Sequence, residues 1–233
     1  MHRIKLPPRL QMIADEIPVD SSLADIGTDH AYLPVYLLQI KKIQKAIASD
    51  VRLGPLESAQ RTANKYEIHN NLSLRLSNGL EKIKESECDV IVIAGMGGET
   101  IRDILKAVPW TQKGNHILFL QPMSMSQELR YWLLNHGYAI QNEFVCQEEK
   151  HLYNLIQCKG TEKSEKRIPF AACIASSALQ RTKNGHAYLE KQAERQEKIL
   201  SGLRKSSKAD PEQLKKAEET MKYLQFYLQE GEK

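Results

Sequence analysis

A regular alternation of strand-like and helix-like segments is the feature that most constrains the fold. Apolar, β-branched runs predict strands at 22–27, 45–50, 72–77, 88–95 and 116–122. Helical patterns follow each of them, at 32–44, 54–66, 79–86, 98–108 and 126–136. Two further strands at 138–149 and 151–159 are predicted to pair antiparallel. Strand–helix–strand units place their strands parallel, so the chain is predicted to be an α/β protein with a doubly wound, mostly parallel sheet and an antiparallel end.

Composition narrows the class of protein further. The 233 residues are 41% hydrophobic and 27% charged, which is typical of a globular chain and not of a disordered one. No apolar run is long enough to span a bilayer, and no signal-peptide core precedes the prolines at positions 7 and 8. The four cysteines lack CxxC spacing, so neither a zinc site nor a disulfide framework is indicated. We expect a cytoplasmic protein with no membrane segment and no metal.

The two ends of the chain add helices to this sheet. Apolar spacing and flanking prolines predict a helix over 8–17, which belongs with the sheet in a domain of residues 1–160. A charged linker at 161–167 then leads to helices over 186–205 and 211–229. Asp210 is the predicted N-cap of the second helix. Its apolar residues recur in a 3-4-3-4 heptad pattern, so residues 161–233 are predicted to form an antiparallel coiled-coil hairpin.

The excess positive charge lies in this C-terminal third. Residues 161–233 carry 15 Lys/Arg and 11 Asp/Glu, whereas residues 1–160 carry 18 of each. A basic helical module suits a polyanion such as RNA, although a solvated helical surface explains the charge equally well. A hairpin with an apolar seam can pack on itself, so a monomer is expected and a dimer is left open.

In a doubly wound sheet, ligands bind beyond the carboxyl ends of the strands. The first such loop, LADIGTDHAYLP, contains Asp25, Gly27 and Asp29 but lacks the further glycines that a pyrophosphate needs. Its acids would repel phosphate, whereas they suit S-adenosylmethionine, which has a sulfonium, an amino group and no phosphate. A dehydrogenase is therefore disfavoured. The alternative is an ordinary turn in which Asp29 caps the next helix.

The next three loops carry residues that suit the same cofactor. Asp50 ends the second strand, where an acid can accept both ribose hydroxyls. Asn78 can recognise an adenine edge, although Asn78–Gly79 is also a common turn pair. The fourth loop allows a ligand to approach its backbone closely, or simply turns tightly into a helix. Its residues are Gly95, Met96, Gly97 and Gly98.

Together these stretches resemble a known family. LADIGTDHAYLP, ASDVRLGPLESA, SNGL, IAGMGGETI and LQP resemble the bacterial tRNA (adenine-22-N1)-methyltransferases, over residues 4 to about 158. The resemblance implies a Rossmann-like class I methyltransferase sheet of seven strands, the last one antiparallel, with a C-terminal coiled-coil domain. It implies S-adenosylmethionine as the cofactor and tRNA as the partner. A different RNA site, or a non-catalytic donor-binding or interaction protein, remain the alternatives.

The resemblance also assigns roles by position. The implied donor-binding residues are Asp25, Gly27, His30, Tyr32, Leu33, Asp50, Val51, Asn78, Gly79, Gly95, Met96, Gly97 and Gly98. Asp29, Gln121 and Pro122 are implied at the reaction centre, and Arg9, Met123 and Tyr153 on the substrate side. This chain departs from many relatives at three positions, which are Asn78 in place of aspartate, Met123 in place of asparagine and Asn154 in place of glutamate.

Overall fold

The computed structural model describes residues 3–161, 167–206 and 209–230. Its centre is a seven-stranded sheet with the order β3-β2-β1-β4-β5-β7-β6. The strands are β1 (Ser21–Ile26), β2 (Ile43–Asp50), β3 (Leu72–Leu76), β4 (Val90–Gly97), β5 (Ile117–Ser124), β6 (Tyr138–Glu148) and β7 (His151–Gly160). Strands β1 to β5 run parallel, and β7 lies antiparallel between β5 and β6. The predicted fold class is confirmed.

Seven α-helices accompany the sheet in the described ranges. They are α1 (Pro8–Glu16), α2 (Tyr32–Gln39), α3 (Leu53–Lys65), α4 (Gly98–Lys106), α5 (Ser126–Asn135), α6 (Lys183–Lys205) and α7 (Pro211–Glu230). Helix α2 ends earlier than predicted, because β2 already begins at Ile43. None of these helices is both long and apolar enough to cross a membrane.

The helix predicted over 79–86 is wrong. Residues 79–82 form turns, residues 83 and 84 have no regular structure, and one 3-10 turn follows at Glu85–Glu87. The Ser77 hydroxyl donates to the carbonyl of Gly79 and accepts from the N–H of Lys82, at 3.1 Å in each case. A short hydroxyl side chain that takes local backbone partners competes with helix formation, and Gly79 has a φ of +55° that no α-helix contains.

Strand β4 shows why both faces of the sheet must be covered. Val90 and Val92 contact the apolar cluster on one face, which includes residues of α1 and α2, and Ile91 and Ile93 contact the cluster on the other, which includes residues of α4 and α5. Successive side chains of a strand point to opposite faces, so an unbroken apolar strand requires helices on both sides. Because helices cover both faces, a ligand can reach the central strands only at their ends.

The C-terminal helices pack against the end of the sheet as well as against each other. Leu189 of α6 and Leu224 of α7 are fully buried in a third cluster, which also contacts Val145 of β6 and Leu152 of β7. Two 3-10 turns at Ala171–Ile174 and Ser177–Arg181, which the sequence analysis missed, precede α6. Most of the predicted linker, residues 162–166, lies outside the described residues.

The expected start of α7 is observed. The Asp210 carboxylate accepts a hydrogen bond from the N–H of Glu212 at 2.9 Å. Helix α6 starts three residues before its predicted start, because the Thr182 hydroxyl caps it by accepting from the N–H of Gly185 at 3.0 Å.

A buried ion pair connects the sheet to the segment that leads into the hairpin. Arg130 of α5 is 1% exposed, and its guanidinium donates to both Glu143 carboxylate oxygens at 2.7 and 2.9 Å. The same group donates to the Asn154 side-chain oxygen at 2.9 Å and to the Ile174 carbonyl at 3.1 Å. Burial lowers the pKa of Arg130, but Glu143 and Tyr188 outweigh burial, so the net pKa is raised and the group stays charged.

We predict that Arg130→Ala lowers the free energy of unfolding by about 3–5 kcal/mol, because it leaves the Glu143 carboxylate buried without its partner. Urea denaturation followed by circular dichroism measures this loss. Arg102→Ala is the control, since it removes an arginine whose ion pair with Asp103 is on the surface, and it should leave the midpoint almost unchanged. Equal stability of the two variants would contradict the structural role of Arg130.

Candidate active site

A buried carboxylate, that of Asp25, lies at the carboxyl end of β1. Asp25 is 7% exposed, and the Thr28 hydroxyl donates to its Oδ2 at 2.5 Å. Burial raises the pKa of Asp25 from 3.8 to about 6, although the Thr28 hydrogen bond lowers it. Thr28 was not predicted from the sequence, although a hydroxyl residue three positions after the acid was an available signal. No positive side chain among the described residues pairs with Asp25. A buried acid in such a place is a candidate ligand-binding group.

Loop one (residues 27–31) contacts loop four (residues 95–98) at Gly27. Gly27 has a φ of +75°, and a Cβ built on it would meet the flexible end of the Met96 side chain. The N–H groups of Gly27 and Thr28 donate to the Ser49 carbonyl at 2.8 and 3.0 Å, which fixes the loop to β2. Glycine is therefore favoured at position 27 by its left-handed backbone conformation.

The middle of loop one faces solvent. The side chains of Asp29 and His30 are 70% and 45% exposed, and the His30 ring stacks on the Tyr32 ring at 5.2 Å. The N-cap of α2 is Ala31, which has no side-chain cap hydrogen bond, so the alternative that Asp29 caps this helix is wrong. Leu33, by contrast, is 2% exposed and contributes its side chain to the core.

The second and third loops are joined through Asp50. Its carboxylate is buried and accepts from the N–H of Arg52 at 2.9 Å, and its carbonyl accepts from the N–H of Ser77 at 3.0 Å. Val51 is 62% exposed beside it. Asn78 is also exposed, and its amide donates to the Glu81 carboxylate at 2.7 Å. Acceptor oxygens of Asp50 and Asn78 thus lie on neighbouring strand ends.

The backbone of loop four is accessible at Gly95. Gly95 has a φ of +77°, and nothing lies within 4 Å of a Cβ built there. Gly98 is the opposite case, because its Cβ would lie 2.5 Å from the Met125 carbonyl. In the sheet register Met96 pairs with Pro122 and Gly97 pairs with Ser124. The glycines thus leave room for a ligand at position 95 and allow close packing against the end of β5 at position 98.

Gln121, at the end of β5, carries an unsatisfied buried acceptor. The residue is fully buried, and its Nε2 donates to the Arg9 carbonyl at 3.3 Å. Among the described residues, no group donates to its Oε1. A buried acceptor without a donor is unfavourable by about 1–3 kcal/mol, so this oxygen is a candidate to receive a donor from a ligand.

The predicted substrate residues have different environments. Arg9 is held by Glu148, which accepts from its backbone N–H at 3.0 Å and lies 3.8 Å from its guanidinium, a partner that the sequence analysis missed. Met123 is 52% exposed, and Tyr153 is half-buried on β7 beside His151. Asn154 is not at the surface at all, since its amide donates to Glu143 at 3.0 Å in the buried Arg130 network.

Two acids lie close together at this edge of the sheet. Within the described ranges, no three His, Cys, Asp or Glu side chains are grouped so that they could hold a metal. Asp25 and Asp50 lie on strands whose ends are adjacent, because Ile26 pairs with Ser49. The space outside these carboxyl ends, here called the crevice, is thus bordered by two carboxylates and by the glycines of loop four.

Comparison with known proteins identifies the class of protein. Residues 6–156 match the family model described as a methyltransferase domain. A protein of Bacillus subtilis, tRNA (adenine(22)-N(1))-methyltransferase, is 39% identical over 163 residues, which span 70% of this chain and 68% of the relative. The fold and the crevice therefore define a methyltransferase of the Rossmann-like class.

Solved structures give the same result for nearly the whole chain. The crystal structure of the B. subtilis M1A22 tRNA methyltransferase TrmK superposes with a TM-score of 0.85 at 30% identity, covering 97% of this chain and all of that one. M. capricolum TrmK in complex with S-adenosyl-homocysteine gives a TM-score of 0.77 at 28% identity, covering 98% and 99%. The chain belongs to the tRNA (adenine(22)-N(1))-methyltransferase family.

We predict that Asp25→Asn stabilises the fold near neutral pH by up to about 3 kcal/mol. The folded pKa of about 6 lies above the ordinary 3.8, so the native state binds more protons between these values. The favourable contribution of Asp25 to the free energy of unfolding is therefore present below about pH 4 and is lost as the pH rises through about 6. Urea denaturation at about pH 4 and pH 7.5 should show the difference only at the higher pH.

Asp29→Asn is the matched control, because its side chain is 70% exposed. This substitution should leave stability unchanged at both pH values. A gain for Asp25→Asn that is equal at both pH values would show that its cause is not the ionisation of Asp25.

Proposed function

We propose that this chain transfers the methyl group of S-adenosylmethionine to N1 of adenine 22 in tRNA. The observation that carries the proposal is the pair of buried carboxylates, Asp25 and Asp50, at adjacent strand ends of a crevice lined with glycine. The family match, the B. subtilis relative and the TrmK structure bound to S-adenosyl-homocysteine support the donor and the substrate.

The donor would lie across the four loops. Asp50 would accept hydrogen bonds from the ribose hydroxyls, and Asn78 would bind the adenine edge through its amide. The Asp25 carboxylate would balance the cationic end of the donor, and a bound positive charge would return its raised pKa towards the ordinary value. Gly95, at which no atom approaches an added Cβ, would leave room for the methionine part.

The chemistry requires alignment more than proton transfer. Adenine N1 carries a lone pair, so it can displace the sulfonium in line once the two groups are held together. Methylation makes the ring cationic, and acceptor oxygens in a dry site stabilise that charge. Gln121 Oε1, which is buried and lacks a donor among the described residues, is suited to accept from the adenine amino group.

The C-terminal hairpin would bind the body of the tRNA. Residues 161–233 carry a net charge of +4. On α7, Tyr223 and Phe226 are 36% and 52% exposed beside Lys222. Lysine binds phosphate, and exposed aromatic rings stack on unpaired bases, so this combination suits RNA. N1 is on the pairing edge of adenine, so the target base must leave its stack to reach the crevice.

We predict that the protein and labelled S-adenosylmethionine convert one adenine of an unmodified tRNA transcript to N1-methyladenosine, at position 22. Primer extension, which stops at that modification, maps the base. Asp50→Ala should weaken donor binding by about a hundredfold or more, because it removes charge-assisted hydrogen bonds to the ribose. Isothermal titration with the donor measures this loss.

Glu57→Ala is the control for Asp50→Ala, since it removes an exposed acid from the neighbouring helix α3. It should bind the donor as the wild-type protein does. Methylation of a different base would support the methyl-transfer activity but would show that position 22 is not the target. Unchanged donor affinity of Asp50→Ala would reject the site.

We also predict that the double substitution Lys215→Ala and Lys222→Ala weakens tRNA binding by about tenfold at low salt. Both side chains are exposed on α7, and removing two phosphate contacts should lower the slope of log affinity against log salt concentration by about two. Filter binding over a range of salt concentrations measures both quantities, and donor binding should not change.

The double substitution Lys82→Ala and Lys106→Ala is the control with the same loss of charge, because both lysines are exposed on the part of the chain before the hairpin. It should leave the salt slope close to that of the wild-type protein. If the two double variants lose affinity equally, the hairpin is not the principal RNA-binding element.

A further inference from the structure

A cavity lies between the end of β5 and helix α6. Its volume is about 270 Å³. One wall is formed by Pro122–Glu128 at the junction of β5 and α5, and the other by Gln192, Arg195, Gln196 and Ile199 of α6. Asn154 and Arg130, from the buried network, also line it. The cavity is thus formed where the hairpin meets the sheet.

This cavity is separate from the crevice at the ends of β1, β2 and β4. None of Asp25, Asp50 or Gly95 lines it, and Pro122 is the wall that both sites share, since it pairs with Met96 of loop four. A group bound in the cavity would therefore lie next to loop four without contacting Asp25, Asp50 or Gly95.

The walls combine exposed apolar side chains with unpaired polar ones. Met123, Met125 and Ile199 line the cavity, and their exposed fractions are 52%, 38% and 44%. The two methionines lie at the junction of β5 and α5, and Ile199 lies on α6. Within the described part of the chain, the Gln192 amide and the Arg195 guanidinium form no hydrogen bond or ion pair. Apolar walls and a free amide suit a flat heterocycle with polar edges, and a free guanidinium suits a phosphate.

Charge determines the orientation of such a ligand. Glu128 also lines the cavity and would repel a phosphate, whereas Arg195 lies on the opposite wall, on an exposed position of α6. A nucleotide would therefore place its base between the apolar side chains and its phosphate near Arg195. The volume is just below the usual range for small-ligand pockets, so it accommodates one base and not a stack of bases.

We propose that this cavity, here called the flanking-base cavity, binds one unpaired nucleotide of the RNA next to the target adenine. The inference rests on the proposed function and deepens it. Holding a neighbouring base on Met123, Met125 and Ile199, with Gln192 reading its edge, would stabilise the unstacked state of the RNA that the target base requires. The contact between hairpin and sheet would then contribute to substrate choice as well as to affinity.

The test measures initial rates of tRNA methylation at saturating donor for three variants on α6. Gln192→Trp fills the cavity and should lower kcat/KM for tRNA by about tenfold or more, since base stacking on a protein side chain contributes on that order. Gln192→Ala enlarges the cavity and should have a smaller effect, of about two- to fivefold. Arg195→Ala removes the phosphate contact and should lower kcat/KM by about fivefold.

Lys198→Ala is the control for Arg195→Ala, because Lys198 is exposed on the same helix but does not line the cavity. It should change kcat/KM by less than about twofold. Donor affinity and the circular dichroism spectrum should stay at wild-type values in all variants, which excludes a folding defect.

Two results would overturn the inference while leaving the proposed function intact. One is wild-type kcat/KM for Gln192→Trp, and the other is an equal loss for Arg195→Ala and Lys198→Ala. Failure of the wild-type protein to methylate tRNA would instead overturn the proposed function, and this inference with it.

Discussion

The site depends on a backbone contact that is closer than a side chain would permit. A Cβ at Gly98 would lie 2.5 Å from the Met125 carbonyl oxygen. This contact holds the end of loop four against the turn that follows β5. Since a β-carbon at position 98 would force these two backbones apart, the site requires glycine there before any ligand-binding group matters. At Gly27 the requirement is conformational, because its φ of +75° is in the left-handed region.

Asp25 is buried at the end of β1, where function and stability conflict. Removal from water raises its pKa to about 6, so near neutral pH the fold holds a carboxylate that is less stable there than in the unfolded chain. Such groups persist where a ligand uses the charge. The Arg130–Glu143 pair is also buried, but its charges are paired with each other, and Arg130 donates further hydrogen bonds to Asn154 and to the Ile174 carbonyl. The pair thereby connects the sheet to the segment before α6. In the proposed function, one buried charge would serve binding, whereas the other serves assembly.

The prediction of the fold from the sequence succeeded where a pattern was local. The alternation of apolar strands with amphipathic helices predicted five parallel strands, because two-sided burial makes a strand such as β4 continuously apolar. The last two strands were predicted separately as an antiparallel pair, and that pairing is observed. The prediction failed at residues 79–86, where the Ser77 hydroxyl takes backbone partners that a helix needs. It also did not reveal that Asn154, one of the three departures from relatives, has its side chain in the buried Arg130 network.

By itself, the sequence determined the order of the elements, the carboxyl-edge loops and the acids and glycines in them, because strand period and turn chemistry are set within a few residues. The tertiary structure alone decided which of these residues share an environment. It buried Asp25 and left Asp29 in solvent, left Gln121 Oε1 without a described donor, and formed the flanking-base cavity between β5 and α6. Burial, pKa and cavities depend on atoms far apart in the chain, so only the packed structure could reveal them.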